Sequence, residues 1–373
     1  MAEVDSGADP AVLARLDDCL PAVNDLFQRV LDKARARSGR APERSRAILD
    51  TTYRALGGKG HLSACWAPIE RWLGGLGPGS VHQVPQDRTK YRGVRYGAWP
   101  TGLVLCPVIK LGGRLVGTDK LGHFAQQGYQ YYVESLKYPD AEEAAAVIAQ
   151  RSSAFEVGCY GLRTTGVYSH ADIAAEYAGW RFYADLAAQP DGIVDIGRYV
   201  TDAWNEEANP NWYAASVAEM VWPTLLQGRV EPTCWTGQWI RDGGVIPITV
   251  RFRFAGTGDV SFDVTRADGA LLPLAISHGR IMYRTTTDNL VLDTQKAGNV
   301  FVAYKGKIVI GVRIHFEWSS LDSEEAGTGY LESTDERTLE GRLTDTDTHA
   351  IRLTQRTVPG AGRDGCAQGS SGA

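Results

Sequence analysis

The sequence predicts an α+β protein, with an N-terminal mainly α-helical domain followed by a C-terminal antiparallel β-sandwich or lipocalin-like β-barrel domain. In the first half, apolar residues recur at the three-to-four-residue spacing of amphipathic helices. After Trp235 the pattern becomes strict alternation, as in Ile248, Val250 and Phe252, which is typical of a half-buried strand. Turn signals at intervals of roughly 8–12 residues favour an antiparallel sandwich or barrel.

The length of 373 residues fits two domains, at roughly 100–200 residues per domain. We expect a helical domain over residues 1–230 and an all-β domain over 235–358, with the boundary where the periodicity changes, near Gln227 to Thr236. The Gly- and Ser-rich residues 359–373 are predicted to be a disordered tail.

The helical elements are predicted from periodicity and capping signals. Asp140 with Glu143 resembles a capping box for a helix ending at Gly158, and Ser169 starts the next one. A Gly-Gly turn after residues 102–109 suggests a hairpin that leads into a helix opening at Thr118 or Asp119. The remaining helical patterns cover 11–56, 65–73 with Trp66 and Trp72 as core aromatics, 196–204 and 212–226.

The strands of the β domain are predicted from alternation between Gly-containing turns. They cover 248–254, 260–264, 290–293, 300–304, 309–318, 329–343 as a hairpin, and 350–355. Trp235, Trp239 and Trp318 belong either to the core of this domain or to a ligand cavity. A small-molecule, glycan or protein ligand at the β domain is therefore one expectation.

Composition excludes several function classes. The net charge of −5 and the scattered Lys and Arg residues provide no basic field for nucleic acid. No window approaches the roughly 18 apolar residues of a membrane span, and the N-terminus lacks a signal-peptide pattern. We expect a soluble chain, cytoplasmic as written, although export after removal of a signal peptide would leave the same sequence.

Six dispersed cysteines without a CxxC pair predict mostly free thiols, with disulfides an alternative after export.

Polar residues repeat on two predicted helices. Asp119 and His123 lie four residues apart on one helix, and Asp172 and Glu176 repeat this spacing on another, while Glu156 ends the helix between them. Residues four apart share a helix face, so each pair can meet a common ligand. Carboxylates gathered at one spot repel one another unless they are protonated, paired with cations or neutralised by a metal.

Each residue also has a structural interpretation. Asp119 can favour the positive end of a helix dipole, and Asp172 can complete a cap with Ser169. A single buried histidine such as His123 is more often a core residue than a ligand, and a single Glu156 is more often a surface charge. The repetition of one geometry on two helices is what favours a functional site, with Lys120, His170 and Arg181 as secondary candidates.

The motif D-K-x-x-H-F, then Glu, then S-x-x-D-x-x-A-[EN]-x-x-G resembles VanZ-like proteins and related uncharacterised bacterial families. The residues that carry it are Asp119, Lys120, His123, Phe124, Glu156, Ser169, Asp172, Ala175, Glu176 and Gly179. The resemblance covers about sixty residues and implies a shared polar site in a bacterial protein. Most of those relatives are membrane-embedded, and most have Asn where this chain has Glu176.

These observations lead to three functional hypotheses. A divalent metal (Zn²⁺, Mn²⁺, Mg²⁺ or iron) on Asp119, His123 and Asp172 would activate water for hydrolysis, with Glu156, Asp172 and Glu176 as catalytic carboxylates. A metal-free pair of carboxylates, Glu156 with Asp172 or Asp119, would instead cleave glycan such as cell wall. In the third hypothesis the chain is a non-enzymatic binding or assembly protein with a buried polar network.

Overall fold

The computed structural model describes residues 13–39, 43–58, 67–95, 103–158, 161–227, 234–241, 244–255, 259–266, 274–286, 307–320, 326–343 and 350–356. The chain divides into two compact units. The first, here the helical unit, takes its described residues from 1–86 and 95–211, and the second, the barrel unit, takes them from 87–94, 212–287 and 306–373. The protein is thus a mixed helix and sheet structure.

Six helices form most of the helical unit. They are α1 Leu20–Arg37, α2 Arg44–Leu56, α3 Pro68–Gly74, α4 Thr118–Ser135, α5 Ala141–Val157 and α6 His170–Ala188. A small antiparallel sheet in the order β1-β2-β3 joins them, with strands Val81–His82, Val108–Leu111 and Arg114–Gly117, and Val167–Tyr168 forms the short strand β4. None of the helices in the described ranges has the length and hydropathy needed to cross a membrane.

The predicted hairpin before α4 is confirmed. Gly112 and Gly113 have φ values of +61° and +79°, and two left-handed residues at the centre of a tight turn are typical of a type I′ hairpin. The Asp18 carboxylate accepts hydrogen bonds from both glycine amides, at 2.9 and 2.7 Å. Strand β3 ends at Gly117 and α4 begins at Thr118, so the hairpin fixes where the first turn of α4 lies.

Helices α4 and α6 cross at unusually short range because glycines face each other at the crossing. A Cβ atom on Gly179 would lie 2.0 Å from the Phe124 carbonyl oxygen, and one on Gly128 would lie 2.5 Å from Gly179 Cα. Only residues without a side chain permit this approach. It brings the polar side chains of the two helices within contact distance.

The core of the helical unit is aromatic. The ring centroids of Phe27 and Phe124 are 6.0 Å apart, those of Phe27 and Phe182 are 5.6 Å apart, and Trp204 lies 5.6 Å from Phe124. Such edge-on and tilted pairs add to the stabilisation from apolar burial. The predicted apolar face of α1 is confirmed at Phe27, while Trp72 is half-buried against this core.

The barrel unit contains a closed eight-stranded antiparallel β-barrel. The strands follow the order β11-β12-β13-β6-β7-β8-β9-β10, and pairing of β10 with β11 closes the ring. Of the two architectures predicted, the barrel is therefore the one adopted. Its strands are β6 Cys234–Arg241, β7 Gly244–Ala255, β8 Asp259–Arg266, β9 Leu274–Thr286, β10 Ile308–Ser320, β11 Ala326–Ser333, β12 Thr338–Leu343 and β13 Ala350–Arg356.

Several predictions about the C-terminal half can be compared with the structure. Trp235, Trp239 and Trp318 are buried, which agrees with the core interpretation. Strands β6 and β9 were not predicted. The predicted strands at 290–293 and 300–304, the tail and Trp66 lie outside the described residues. The domain ranges 1–230 and 235–358 stay a prediction.

Two predicted helices need correction. Residues 196–204 form two short 3-10 turns, Ile196–Arg198 and Asp202–Trp204, instead of one helix. The Asp195 carboxylate caps the first turn by accepting a hydrogen bond from the Gly197 amide. The Tyr199 and Trp204 amides donate to carbonyl groups three residues earlier, as in 3-10 and not α-helical geometry. The helix predicted from Trp212 begins three residues later as α7, Ala215–Gln227, after strand β5, Trp212–Ala214. Strand β5 pairs with β10 within the barrel unit.

The structure describes both states that were considered for the cysteines. Cys19 is a free and buried thiol. Cys106 is disulfide-bonded, which is the alternative to free thiols given above. A disulfide is typical of oxidising compartments.

Candidate active site

Asp119 and His123 occupy the first two turns of α4 and face the interior. Asp119 is completely buried and His123 is 7% exposed. Their spacing of four residues places both on the face that α6 covers. The sequence-based prediction that this pair shares one helix face is confirmed.

Helix α6 presents the second pair because its start is fixed by a cap. The Ser169 hydroxyl accepts a hydrogen bond from the Asp172 amide at 3.1 Å, as a serine N-cap does. Asp172 and Glu176 then point toward α4. His123 Nε2 lies 3.4 Å from Asp172 Oδ2, and His123 Nδ1 lies 2.9 Å from Glu176 Oε1. The predicted meeting of residues some fifty positions apart across two helices is confirmed.

Glu156, at the end of α5, joins the same group. Its Oε2 accepts a hydrogen bond from the Ser169 amide at 3.0 Å, while its buried Oε1 has no hydrogen-bond partner among the described residues. Burial raises the pKa of Glu156 well above its usual range, and the charges of Asp172 and Glu176 raise it further. This environment therefore favours the protonated form of Glu156.

Glu176 is held by donors on both carboxylate oxygens. Oε1 contacts His123 Nδ1, and Oε2 accepts hydrogen bonds from the Tyr131 hydroxyl at 2.9 Å and from the Ser152 hydroxyl. A carboxylate fixed in this way orients the imidazole ring and sets which nitrogen carries a proton. These contacts are those of a positioning residue, and the predicted catalytic role of Glu176 stays a prediction.

Lys120, predicted to be secondary, lies at the centre of the site. Its ammonium Nζ contacts Asp172 Oδ1 at 2.5 Å, Glu206 Oε1 at 2.6 Å and Asp119 Oδ2 at 3.1 Å. Burial alone would lower the pKa of Lys120, but the three carboxylates outweigh it and raise that pKa well above its usual value. The lysine thus supplies a buried positive charge to three acidic groups. We call this group the ion cluster; it contains Asp119, Lys120, His123, Glu156, Asp172, Glu176 and Glu206.

The sequence did not identify two buried acidic residues, Glu206 within the ion cluster and Glu70 on helix α3. Glu206 lies in a loop beside Glu207, where no helical period relates it to Lys120, and its Oε2 accepts a hydrogen bond from Asn211 at 3.0 Å. Glu70 lies on α3 and packs directly against Gly122 of α4. A Cβ atom added to Gly122 would lie 1.5 Å from Glu70 Oε1. The sequence offers one indication of Glu70, namely a carboxylate on the buried face of the short helix α3. Burial raises the pKa of Glu70 to about 8, and the charge of Asp119 adds to this.

Two of the secondary candidates lie outside the cluster. His170 Nδ1 contacts the Pro210 carbonyl oxygen at 2.9 Å, and burial lowers the pKa of this histidine. Arg181 is exposed and lines a cavity against α6.

The charges within the ion cluster shift the pKa values of its members in opposite directions. Burial would lower the pKa of His123, but the charge of Asp172 and the hydrogen bond that His123 donates to Glu176 outweigh this effect and raise that pKa to about 10. Burial would raise the pKa of Asp172, yet the charges of His123 and Lys120 hold it below its usual range. The pKa of Asp119 is likewise held low, chiefly by Lys120 against the effect of burial. The metal-free cluster is therefore an ion-paired network.

The same residues fit a divalent metal. One ligand atom from each of Asp119, His123 and Asp172 lies within 4.8 Å of the others, and a second set combines His123, Glu156 and Glu176. The 3.4 Å between His123 Nε2 and Asp172 Oδ2 equals the edge of about 3.4 Å expected for two tetrahedral ligands with bonds of roughly 2.1 Å. Carboxylate oxygens with one imidazole suit Zn²⁺, Mn²⁺ or Mg²⁺.

Comparison with known proteins finds no protein family, no curated protein and no solved structure that matches this chain. The resemblance to VanZ-like proteins depends on the motif residues alone and stays a prediction. The geometry and electrostatics of the ion cluster are therefore the basis for assigning a function to this chain.

Proposed function

We propose that this chain is a metal-dependent hydrolase whose site is built on α4 and α6. The observation that carries the proposal is the convergence of Asp119, His123 and Asp172, whose ligand atoms lie within 4.8 Å of one another. Contact of His123 Nδ1 with Glu176 adds the carboxylate–histidine arrangement that supports most histidine metal ligands. A divalent metal held there supplies a Lewis acid that makes water nucleophilic at neutral pH.

Neighbouring side chains hold Asp119, His123 and Asp172 in place. Glu176 holds the His123 ring so that Nε2 is directed toward Asp172. Lys120 binds one oxygen of Asp172 and one of Asp119, which limits the rotation of both ligands and balances their charge. Preorganised ligands of this kind need little rearrangement when they act.

Glu156 is the residue that moves a proton in this proposal. Among the described residues its Oε1 has no hydrogen-bond partner, and Lys120 forms its ion pairs with other carboxylates. Its raised pKa favours the protonated form. Addition of positive charge nearby lowers the pKa of a carboxyl group and makes it a base near neutral pH. Glu156 would then accept a proton at Oε1 and return it to the leaving group.

A second candidate function is glycan hydrolysis without a metal. Its supporting observation is that the pKa of Glu156 is raised while that of Asp172 is lowered, in one cluster. Carboxyl groups pushed apart in this way take the roles of acid and of charged carboxylate in glycosidases. Glu156 would protonate the glycosidic oxygen, and Asp172 would act as the ionised partner.

The non-enzymatic hypothesis draws on burial. Asp119, Lys120, Glu156 and Glu176 are completely buried, as the members of a structural network are. The unpartnered Glu156 Oε1 argues against a purely structural role, because buried polar networks retained for stability are normally satisfied throughout. We therefore rank this hypothesis below both enzymatic ones.

Elemental analysis of the purified full chain, combined with assays on ester, phosphodiester and glycan substrates, tests the proposal. We expect about one divalent metal per chain, loss of metal and activity in Asp119→Asn and His123→Gln, and recovery of activity when metal is returned after chelation. His315→Gln, at an exposed histidine of the barrel unit, is the matched control and keeps both. Glu156→Gln retains metal and loses activity.

Other outcomes select the other hypotheses. Glycan cleavage that survives chelation and disappears in Glu156→Gln would favour the metal-free mechanism. Absence of bound metal and of activity, with His123→Gln only less stable than the parent protein, would support the structural network and refute the hydrolase proposal.

A further inference from the structure

A cavity of about 430 Å³ lies against one face of α6 in the helical unit. This volume is within the range of roughly 300–1,000 Å³ that is typical of small-molecule pockets. Ser152, which lines the cavity, also donates a hydrogen bond to Glu176 of the ion cluster. The cavity therefore lies one side chain away from the candidate active site.

Most of the cavity wall is apolar. Ile148 of α5 faces Ile173, Ala174 and Tyr177 of α6 across it. Tyr177 is 38% exposed, an unusually large exposure for an aromatic side chain that borders a cavity, and it gives the cavity an apolar rim. Such a wall binds the hydrocarbon part of a ligand through burial of apolar surface.

Two arginines give the cavity a cationic end. Arg181 of α6 and Arg198 both line it, both are exposed, and neither forms an ion pair or hydrogen bond within the described ranges. Burial and a hydrogen bond to Asp185 raise the pKa of Tyr199, and both guanidinium groups oppose that rise, which places them near the same hydroxyl. The Asp185 carboxylate accepts the hydrogen bond of that hydroxyl at 2.8 Å, so one negative charge lies near the two guanidinium groups without forming an ion pair with either. Two positive charges beside one negative charge leave a net positive charge, which favours binding of an anion.

We propose that this cavity binds a small amphiphilic carboxylate, with its carboxylate between Arg181 and Arg198 and its hydrocarbon chain along Ile173 and Tyr177. The apolar wall matches the hydrocarbon chain of such a molecule, and the two guanidinium groups match its carboxylate. The proposal concerns binding alone, so it stands or falls separately from hydrolysis at the ion cluster.

Calorimetric titration of the full chain with octanoate tests the proposal. We expect saturable binding at one site, at least tenfold tighter than for 1-octanol, which has the same chain without the charge. Arg181→Gln and Arg198→Gln should each weaken octanoate binding at least fivefold, since the side chains are exposed and the changes leave the core intact. Raising salt from about 0.05 M to about 0.5 M should weaken binding of octanoate and leave that of 1-octanol unchanged.

Two further variants make the test specific. Arg163→Gln removes an exposed arginine that does not line the cavity and should leave octanoate affinity unchanged. Ala149→Phe fills the cavity from an exposed position on α5 and should abolish binding while the far-ultraviolet spectrum stays that of the parent. Absence of saturable octanoate binding, or binding that survives both Arg181→Gln and Arg198→Gln, would overturn the proposal.

Discussion

Lys120 shows how a single side chain can determine the electrostatics of the whole site. Its ammonium group is completely buried and contacts Asp119, Asp172 and Glu206. Removal of one partner from a buried ion pair is strongly destabilising because the remaining charges lose their compensation. The lysine is therefore as much a part of the site as the residues with ligand atoms.

Replacement of this lysine gives a direct prediction. We expect Lys120→Met to lower the free energy of unfolding by about 3–5 kcal/mol, since three buried carboxyl groups lose their cation. Urea denaturation at pH 7 measures the change. Lys137→Met is the matched control: this lysine pairs with Glu134 on the surface with 63% of its side chain exposed, and we expect a change within about 1 kcal/mol. Similar losses in the two variants would contradict the central role of Lys120.

Because of the raised pKa of Glu70, we expect the free energy of unfolding to decrease as the pH rises. Its pKa in the folded protein is raised from 4.5 to about 8, mainly by burial, so the folded state binds more protons than the unfolded state between these values. Stability from this group is therefore complete below pH 4.5 and decreases as the pH rises to 8. Glu70→Gln should remove most of that decrease, at about 1.4 kcal/mol per pKa unit.

The measurement is the free energy of unfolding of metal-free protein at several pH values from 5 to 8. His123 lowers the free energy of unfolding in the same direction. Its pKa is raised from 6.5 to about 10, so its stabilisation is complete below pH 6.5 and is lost as the pH rises through 10. Glu340→Gln, at a carboxylate whose side chain is 47% exposed, should retain the parent slope. An unchanged slope in Glu70→Gln would refute the assignment.

At the scale of elements, the crossing of α4 and α6 is what creates the site. Gly179→Ala would place a methyl group 2.0 Å from the Phe124 carbonyl oxygen and force the helices apart. We expect a loss of at least about 1–3 kcal/mol in stability, together with weaker metal binding, because His123 and Asp172 lie on the separated helices. Thermal denaturation and elemental analysis measure the two effects.

Gly74→Ala is the control for that substitution. Gly74 is the last residue of α3, and nothing lies within 4 Å of a Cβ built there. Alanine is the better helix former by about 0.5–1 kcal/mol, so this variant should be as stable as the parent or slightly more stable. If Gly179→Ala were equally well tolerated, close approach of the two helices would not be required.

The elements near the site were predictable because their signals are local. Ser169 and Asp140 cap helices through bonds to residues three positions later, which a sequence displays directly. Glu206 and Glu70 were missed because their relation to Lys120 and Asp119 arises only from tertiary packing. Strand β9 was missed because its Ser277, His278 and Gly279 interrupt the alternation that identifies a strand.

At the scale of the whole molecule, the barrel unit is assembled from distant parts of the chain. Residues 87–94 belong to it although the eight strands of the closed barrel begin after residue 233. Lys90 and Glu336 form an ion pair at 2.7 Å with side-chain exposures of 1% and 3%, and the Tyr213 hydroxyl also donates a hydrogen bond to Glu336. No periodic pattern predicts a contact between residues 246 positions apart.

A double-mutant cycle on this pair tests how the barrel unit is stabilised. Lys90→Met and Glu336→Leu should each cost about 3–5 kcal/mol, because each leaves a buried charge without its partner. The double variant should cost less than the sum by about 0.5–3 kcal/mol, since both charges are then removed together. The exposed pair Arg253 and Asp263, in the same unit, should show a coupling near zero. Urea denaturation followed by tryptophan fluorescence measures the parent protein and the six variants of the two cycles. Strict additivity at Lys90 and Glu336 would show that the contact contributes nothing to the folded barrel unit.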